Sequence, residues 1–273
     1  MVYTKLIPHR TQEARVEEIS RDSSHHLLSI PAGTANQYRL AQLDDYTKLK
    51  RANFPHCSPI RLSLAARTSS SSIPGTWGFG LWNDPFGMSL GFGGSPWRLP
   101  ALPNAVWFFG ASEESFLSFK ANRASSTPTT MGNSAPSTGS PQREIPANGF
   151  LAQAFRSPKF HPKLIPAGLA LPLSRKVTRR LLGKTIDEDG IRLSVDSTQW
   201  HRYTLDWREN EVLFTVDDAL VYESQVRPNP PLGLVIWIDN QFAAFTPEGR
   251  IGFGVLENPE AAWLEIKNVK IEL

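Results

Sequence analysis

A single cysteine, Cys57, among 273 residues excludes an intrachain disulfide and a multi-cysteine metal site, so nothing calls for an oxidising compartment. Strong charge of either sign is also missing. Twenty-nine Lys plus Arg against 26 Asp plus Glu leave a formal +3, too mild to argue for nucleic acid. No segment approaches the roughly 18 uncharged apolar residues of a spanning helix, and "MVYTKLIPHRTQEARVEEIS" has no apolar stretch of signal-peptide length. As written the chain reads as cytoplasmic, although one trimmed of an export signal would look the same. His25, His26, His56, His161 and His201 show no metal-ligand spacing. "GFGG", residues 91 to 94, lacks the Lys and the strand-to-helix context of a phosphate loop. No metal and no cofactor are expected. Cys57 adjoins His56 in "FPHCSP", but neighbours rarely make a nucleophile and base pair, so it reads as structural.

What the chain does have is 19 Gly, 22 Pro and 8 Trp, a profile that suits a turn-rich β protein. Period-two alternation marks Leu27 to Ile30, Tyr38 to Leu43, Ile60 to Thr68, Thr76 to Trp82, Ala105 to Phe109, Phe116 to Lys120 and Phe150 to Ser157. The series continues through Ile191 to Val195, Arg202 to Trp207, Glu211 to Asp217, Leu220 to Tyr222, Leu232 to Asp239, Arg250 to Val255 and Trp263 to Leu273. Such a run of short strands predicts an all-β, two-sheet sandwich. Residues 121–146 are Ser, Thr, Pro and Gly with almost no apolar content, and are expected to form a flexible loop. Residues 166–185 predict a helical insertion that presents Val177, Leu181 and Leu182 to the protein and Arg175, Lys176, Arg179, Arg180 and Lys184 to solvent. That basic face would suit an acidic partner or a membrane surface, or be a solvated helix over the sandwich or its cleft. The organisation expected is an extension, 1–24, followed by one domain, 25–273, carrying both insertions.

In "GTWGFGLW", residues 75 to 82, Trp77, Phe79 and Leu81 share one strand face and Gly78, Gly80 and Trp82 the other. Downstream, "YTLDWRENEVLFTVDDALVYES" reads as a meander with one buried face, and "PPLGLVIWIDNQ" as a further strand. Together these stretches resemble the concanavalin A-like jelly roll, and within it the family sixteen glycoside hydrolases of laminarinase and agarase type. The matching pieces are Gly75 to Trp82, Tyr203 to Val221 and Leu232 to Asp239. The resemblance implies a cleft on the face of Trp82, with catalytic carboxylates on an E-x-D-x-x-E-like strand. Retaining hydrolysis needs two carboxyls about 5 Å apart. Here the strand in that place is "LPNAVWFFGAS", and no Asp or Glu stands between Asp84 and Glu113. Depending on register, Asn104, Val106 and Phe108, or Ala105, Trp107 and Phe109, replace the acids.

The same resemblance places Trp237 and Asp239 on the concave side, opposite Leu234, Ile236 and Ile238 in the inter-sheet core. With Trp82, Trp97, Trp107, Phe109 and Gln241 they are expected to make an aromatic ligand-binding groove with a few polar groups. Trp200 and Trp207 are expected in the core. Three functions follow. The first is binding of a saccharide without the standard acids. The second is an enzyme, such as an isomerase, cyclase or hydrolase, acting on an apolar small molecule in the same cleft. The third is a glycoside hydrolase with relocated carboxylates, for which Asp84 and Asp239 are the candidate catalytic pair. An open cleft with spaced tryptophans would favour the saccharide; a closed, dry pocket would favour the apolar molecule.

Overall fold

The computed structural model describes residues 5–11, 13–20, 24–85, 101–118, 148–158, 175–246 and 251–273. Two antiparallel sheets of seven strands each form a jelly-roll sandwich. The first sheet runs β1 (Ile7–Arg10), β4 (Leu40–Asp44), β13 (Gly233–Asp239), β6 (Thr76–Trp82), β7 (Ala105–Ala111), β8 (Gly149–Arg156) and β9 (Asp187–Arg192). The second runs β12 (Ala219–Ser224), β11 (Val212–Val216), β10 (His201–Trp207), β5 (Ile60–Thr68), β16 (Ala262–Glu272), β3 (His25–Ile30) and β2 (Arg15–Glu18). A separate hairpin, β14 (Gln241–Phe245) and β15 (Ile251–Val255), one α-helix, α1 (Arg175–Thr185), and a single 3-10 turn, Arg51–Asn53, complete the described elements.

Alternation explains both layers. On β13, Leu234, Ile236 and Ile238 enter the core between the sheets, where they join Phe79 and Leu81 of β6 and Val106 and Phe108 of β7. The second sheet answers with Leu62 and Leu64 of β5, Tyr203 and Leu205 of β10 and Phe214 of β11. Phe108 lies at the centre of this core, with ring centroids 5.5 Å from Phe79, 5.0 Å from Tyr203 and 5.4 Å from Phe214. These tilted and edge-on arrangements suit the ring quadrupoles. The other face of the first sheet is also apolar and buried. Trp82, Ala105, Trp107, Phe109, Leu151, Phe155, Val235 and Trp237 form a second cluster there. A sheet buried on both faces has no polar face to alternate with, which is why β6, β7 and β13 are buried at every position.

Several local expectations change. Residues 1–24 hold strands that pair with both sheets: β1 lies along β4 and β2 along β3. Phe116 makes only an isolated bridge, to Ala244, where a strand was expected. The strand placed at Ile191 to Val195 instead runs Asp187–Arg192, in register with β8. Trp207 is core, but Trp200 is only half-buried. The Arg67 guanidinium lies 5.0 Å and the Lys267 ammonium 4.0 Å from the centre of its indole, on the outer surface of the second sheet. Residues 121–146 and 166–174 lie outside the described residues. Within α1, Arg179 is 7% exposed rather than facing solvent. Its guanidinium donates to the Ser118 carbonyl (3.2 Å) and lies 5.5 Å from the centre of the Phe116 ring. Leu182 packs on the aromatic cluster of the first sheet, so α1 sits over that face.

Candidate functional site

The outer face of the first sheet holds a cavity of about 220 Å³. Its floor comes from β4, β6, β7, β8 and β13 through Leu40, Gln42, Thr76, Trp82, Trp107, Phe109, Phe155, Trp237 and Asp239. The hairpin contributes Gln241, Phe242, Ala243 and Phe253, and the segment after β7 contributes Phe116 and Leu117. Phe116 is tied to the hairpin by its N–H, which donates to the Ala243 carbonyl (2.9 Å). Of the expected binding residues, Trp82, Trp107, Phe109, Trp237, Asp239 and Gln241 therefore line one cavity. Trp97 lies outside the described residues.

The glycines of β6 make the floor possible. Gly78 and Gly80 stand opposite Trp237 and Trp107 in register. A Cβ at Gly78 would lie 2.9 Å from the Trp237 ring, and one at Gly80 would lie 2.6 Å from Cα and Cβ of Trp107. The bare face of β6 is thus covered by neighbouring indoles rather than left open. Trp107 sits in the middle, with centroids 6.1 Å from Trp82, 5.2 Å from Phe109, 6.0 Å from Phe155 and 5.7 Å from Trp237. The three indoles form one packed cluster instead of a spaced row.

The polar groups are few and gathered toward opposite ends. Thr76 pairs with Asp239, and Trp82, six residues further along β6, pairs with Gly233, which separates the two ends by about 20 Å of strand. At one end, Trp237 Nε1–H donates to Thr76 Oγ1 (2.9 Å), whose hydroxyl donates to Asp239 Oδ1 (2.8 Å). The same oxygen accepts from the N–H groups of Thr76 and Gln241 (both 3.2 Å), and Tyr38 Oη–H donates to Oδ2 (3.2 Å). Burial outweighs these hydrogen bonds and pushes the Asp239 carboxyl up to about 6. Burial first, and then the Asp239 charge, push the Tyr38 hydroxyl up as well, so Tyr38 remains a proton donor. At the other end, Trp82 is 7% exposed and its Nε1–H has no acceptor among the described residues. Gln153, paired with Trp107 across β7 and β8, accepts the Trp107 Nε1–H (3.3 Å) through Oε1. An indole N–H only donates, so the amide is oriented with Nε2 left without a partner.

Asp239 is the single ionisable side chain among the described lining residues. The structure does not bring Asp84 to it. Asp84 lies in the turn beyond the far end of β6, fully buried at φ +49°, and its carbonyl accepts from Arg51 Nη2 (2.8 Å). The strand length between them is several times the separation that paired-carboxyl hydrolysis requires. Ala105, Trp107 and Phe109 face the cavity side of β7, so that strand offers no acid there. Asp44, on the same face of β4, is held well below the usual carboxylate range by hydrogen bonds from His9, Thr47 and Gln42, despite its burial. It anchors the following turn by accepting from the N–H groups of Tyr46 and Thr47. Among the described residues no three His, Cys, Asp or Glu side chains come together as a metal site.

Sequence reasoning missed Tyr38, Leu40, Gln42, Thr76 and Phe155, and of the hairpin it named Gln241 but not Phe242, Ala243 or Phe253. The alternation in "LAQLD" carried a signal for Leu40 and Gln42. The second hairpin strand was read as Arg250 to Val255, but β14 carried no separate signal, because it follows β13 after Asn240 alone and reads as a continuation of it.

The chain matches no protein-family model and no curated protein. Among solved structures it is similar in fold to a family 16 endo-glucanase from Bacteroides ovatus, at 9% identity and TM-score 0.46, over 100% of this chain and 96% of that one. It is likewise similar to the catalytic domain of an endo-1,3-β-glucanase (laminarinase) from Thermotoga petrophila, at 11% identity and TM-score 0.44, over 96% and 80% of the two chains. An endo-β-galactosidase from Clostridium perfringens gives 10% identity and TM-score 0.44, over 97% and 59%. No helix among the described residues is long and apolar enough to cross a membrane.

Proposed function

We propose that this sandwich binds an apolar, ring-containing small molecule in the cavity on the outer face of the first sheet, with Asp239 exchanging a proton with the ligand at one end. The observation that carries the reading is the lining itself: packed aromatic and aliphatic side chains, bordered by the β14–β15 hairpin, with one ionisable group among the described residues. Apolar walls with a few convergent polar groups are what a small-molecule site needs. A carboxyl at about 6 is matched to proton transfer near neutrality. The unpartnered Nε1–H of Trp82 adds a requirement, an acceptor oxygen on the ligand at the opposite end, because a shielded donor without a partner is costly.

A saccharide is the second reading, supported by Trp82, Trp107 and Trp237 on one face with Gln42, Gln241 and Asp239 among them. Hydrolysis by paired carboxylates has no such support.

A tryptophan-fluorescence titration separates these readings, using 9-fluorenone, fluorene and a linear β-glucan oligosaccharide as probes. The expected result is saturable binding of fluorenone, roughly five- to tenfold tighter than fluorene, through one added hydrogen bond. In Trp82→Phe, which keeps a ring but removes the donor, that preference should vanish. Binding of the glucan alone would overturn the first reading in favour of the second.

A further inference from the structure

At the Asp239 end of the sandwich, but on the opposite side of the first sheet, lies a second group of unsatisfied polar atoms. Tyr38 and Leu40 face the cavity side, so the side chain between them, Arg39, points between the sheets. It is 3% exposed. Its Nη1 donates to the carbonyls of Thr34 (3.1 Å) and Gln37 (3.2 Å). Nε has no acceptor, and no carboxylate of a described residue pairs with the guanidinium. A buried guanidinium keeps its positive charge, and carbonyl dipoles do not supply a counter-charge.

The neighbouring backbone places a partner beside it. Gly33 and Asn258 form a bridge through two hydrogen bonds of 2.8 Å, each N–H donating to the other's carbonyl. Side chains of directly paired residues project to the same side. A Cβ at Gly33 would overlap Arg39 Nη2 and lie 2.6 Å from Cζ, so the guanidinium occupies the side-chain space of Gly33. The Asn258 amide projects to that same side. It is 1% exposed, and neither its Oδ1 nor its Nδ2 has a partner. Two shielded donors without partners, Arg39 Nε and Asn258 Nδ2, beside a cation with no carboxylate partner among the described residues, are groups that a small anion would satisfy.

We propose that Arg39 and Asn258 bind a small carboxylate of formate to acetate size. The free Nε–Nη2 edge of Arg39 is a planar fork that matches two carboxylate oxygens, and Asn258 Nδ2 provides a third donor. Occupancy would tie the loop after β3 to Leu256–Asn258 at the base of the hairpin, where the Leu256 N–H donates to the Asn240 carbonyl (2.8 Å) and Asn240 Nδ2 donates to the Leu256 carbonyl (2.9 Å).

The test is thermal unfolding of the full chain in sodium formate against sodium chloride at matched ionic strength. The expected result is a saturable rise in Tm with formate, roughly 5 °C at a hundredfold excess over Kd, lost in Arg39→Met and weakened in Arg39→Lys. Carbon-13 formate line widths with the unmodified protein give an independent reading if the variants fail to fold, with saturable broadening expected. An equal response to chloride, an undiminished response in folded Arg39→Met, or no formate broadening would each overturn the proposal.

Discussion

Replacing Asp239 with Asn removes the titration of the one ionisable group among the described residues that line the cavity, while keeping its size and an acceptor oxygen. The carboxyl is raised from 3.8 to about 6 in the folded protein, chiefly by burial. The native state therefore holds this proton more tightly than the unfolded chain, and the contribution to stability is fully present below 3.8 and lost as pH rises through about 6. A shift of about two units at 1.36 kcal/mol each sets the whole effect near 3 kcal/mol. Between about pH 4.5 and about pH 7.5 the wild type should lose about 2 kcal/mol relative to Asp239→Asn. Urea unfolding of both proteins across that range, followed by tryptophan fluorescence, reads the difference directly. Contributions from all other groups, and any constant offset from the altered hydrogen bonds, cancel in the comparison. A stability difference that stays flat with pH would refute the claim that Asp239 titrates with a raised pKa in this apolar setting.

Two further outcomes concern the floor and the core. Gly80→Ala would place a Cβ against the Val106 carbonyl and 2.6 Å from Cα and Cβ of Trp107; a loss of about 1–3 kcal/mol in urea unfolding is expected, with weakened fluorenone binding as Trp107 is displaced. Phe108→Ala empties the centre of the inter-sheet core and should cost about 3–5 kcal/mol, again read from urea unfolding, while leaving the aromatic cluster on the opposite face in place.

Much of the architecture was legible because strand periodicity is a local property. Ile60–Thr68 and Thr76–Trp82 run as read from the sequence, since each carries enough alternation or bulk to declare itself. The two faces of β13 were also legible: Leu234, Ile236 and Ile238 point inward, and Trp237 and Asp239 outward. Other features depended on partners far along the chain. Arg179 reads as a solvent-facing residue of a basic helix, and is buried because Ser118 and Phe116 meet it. Trp200 reads as core, yet it lies against Arg67 and Lys267 on an outer surface.

The sequence by itself determined the all-β class and which residues share a face within a strand, such as Trp237 with Asp239, because side-chain alternation follows from backbone geometry alone; that Trp82, Trp107, Phe109, Trp237 and Asp239 share one side of one sheet was an expectation from the family resemblance, and the strand order of the structure brings them there. The sequence also determined that β7 carries no acid. Only the tertiary structure decided that Asp84 and Asp239 stand toward opposite ends of β6, that the β14–β15 hairpin lines the same cavity as the aromatic face, and that Asp239 is buried deeply enough to hold its proton to about 6. Distance across a sheet, coverage by a distant segment and loss of solvent are all set by which strands become neighbours, and that choice is made by the packing of the whole chain.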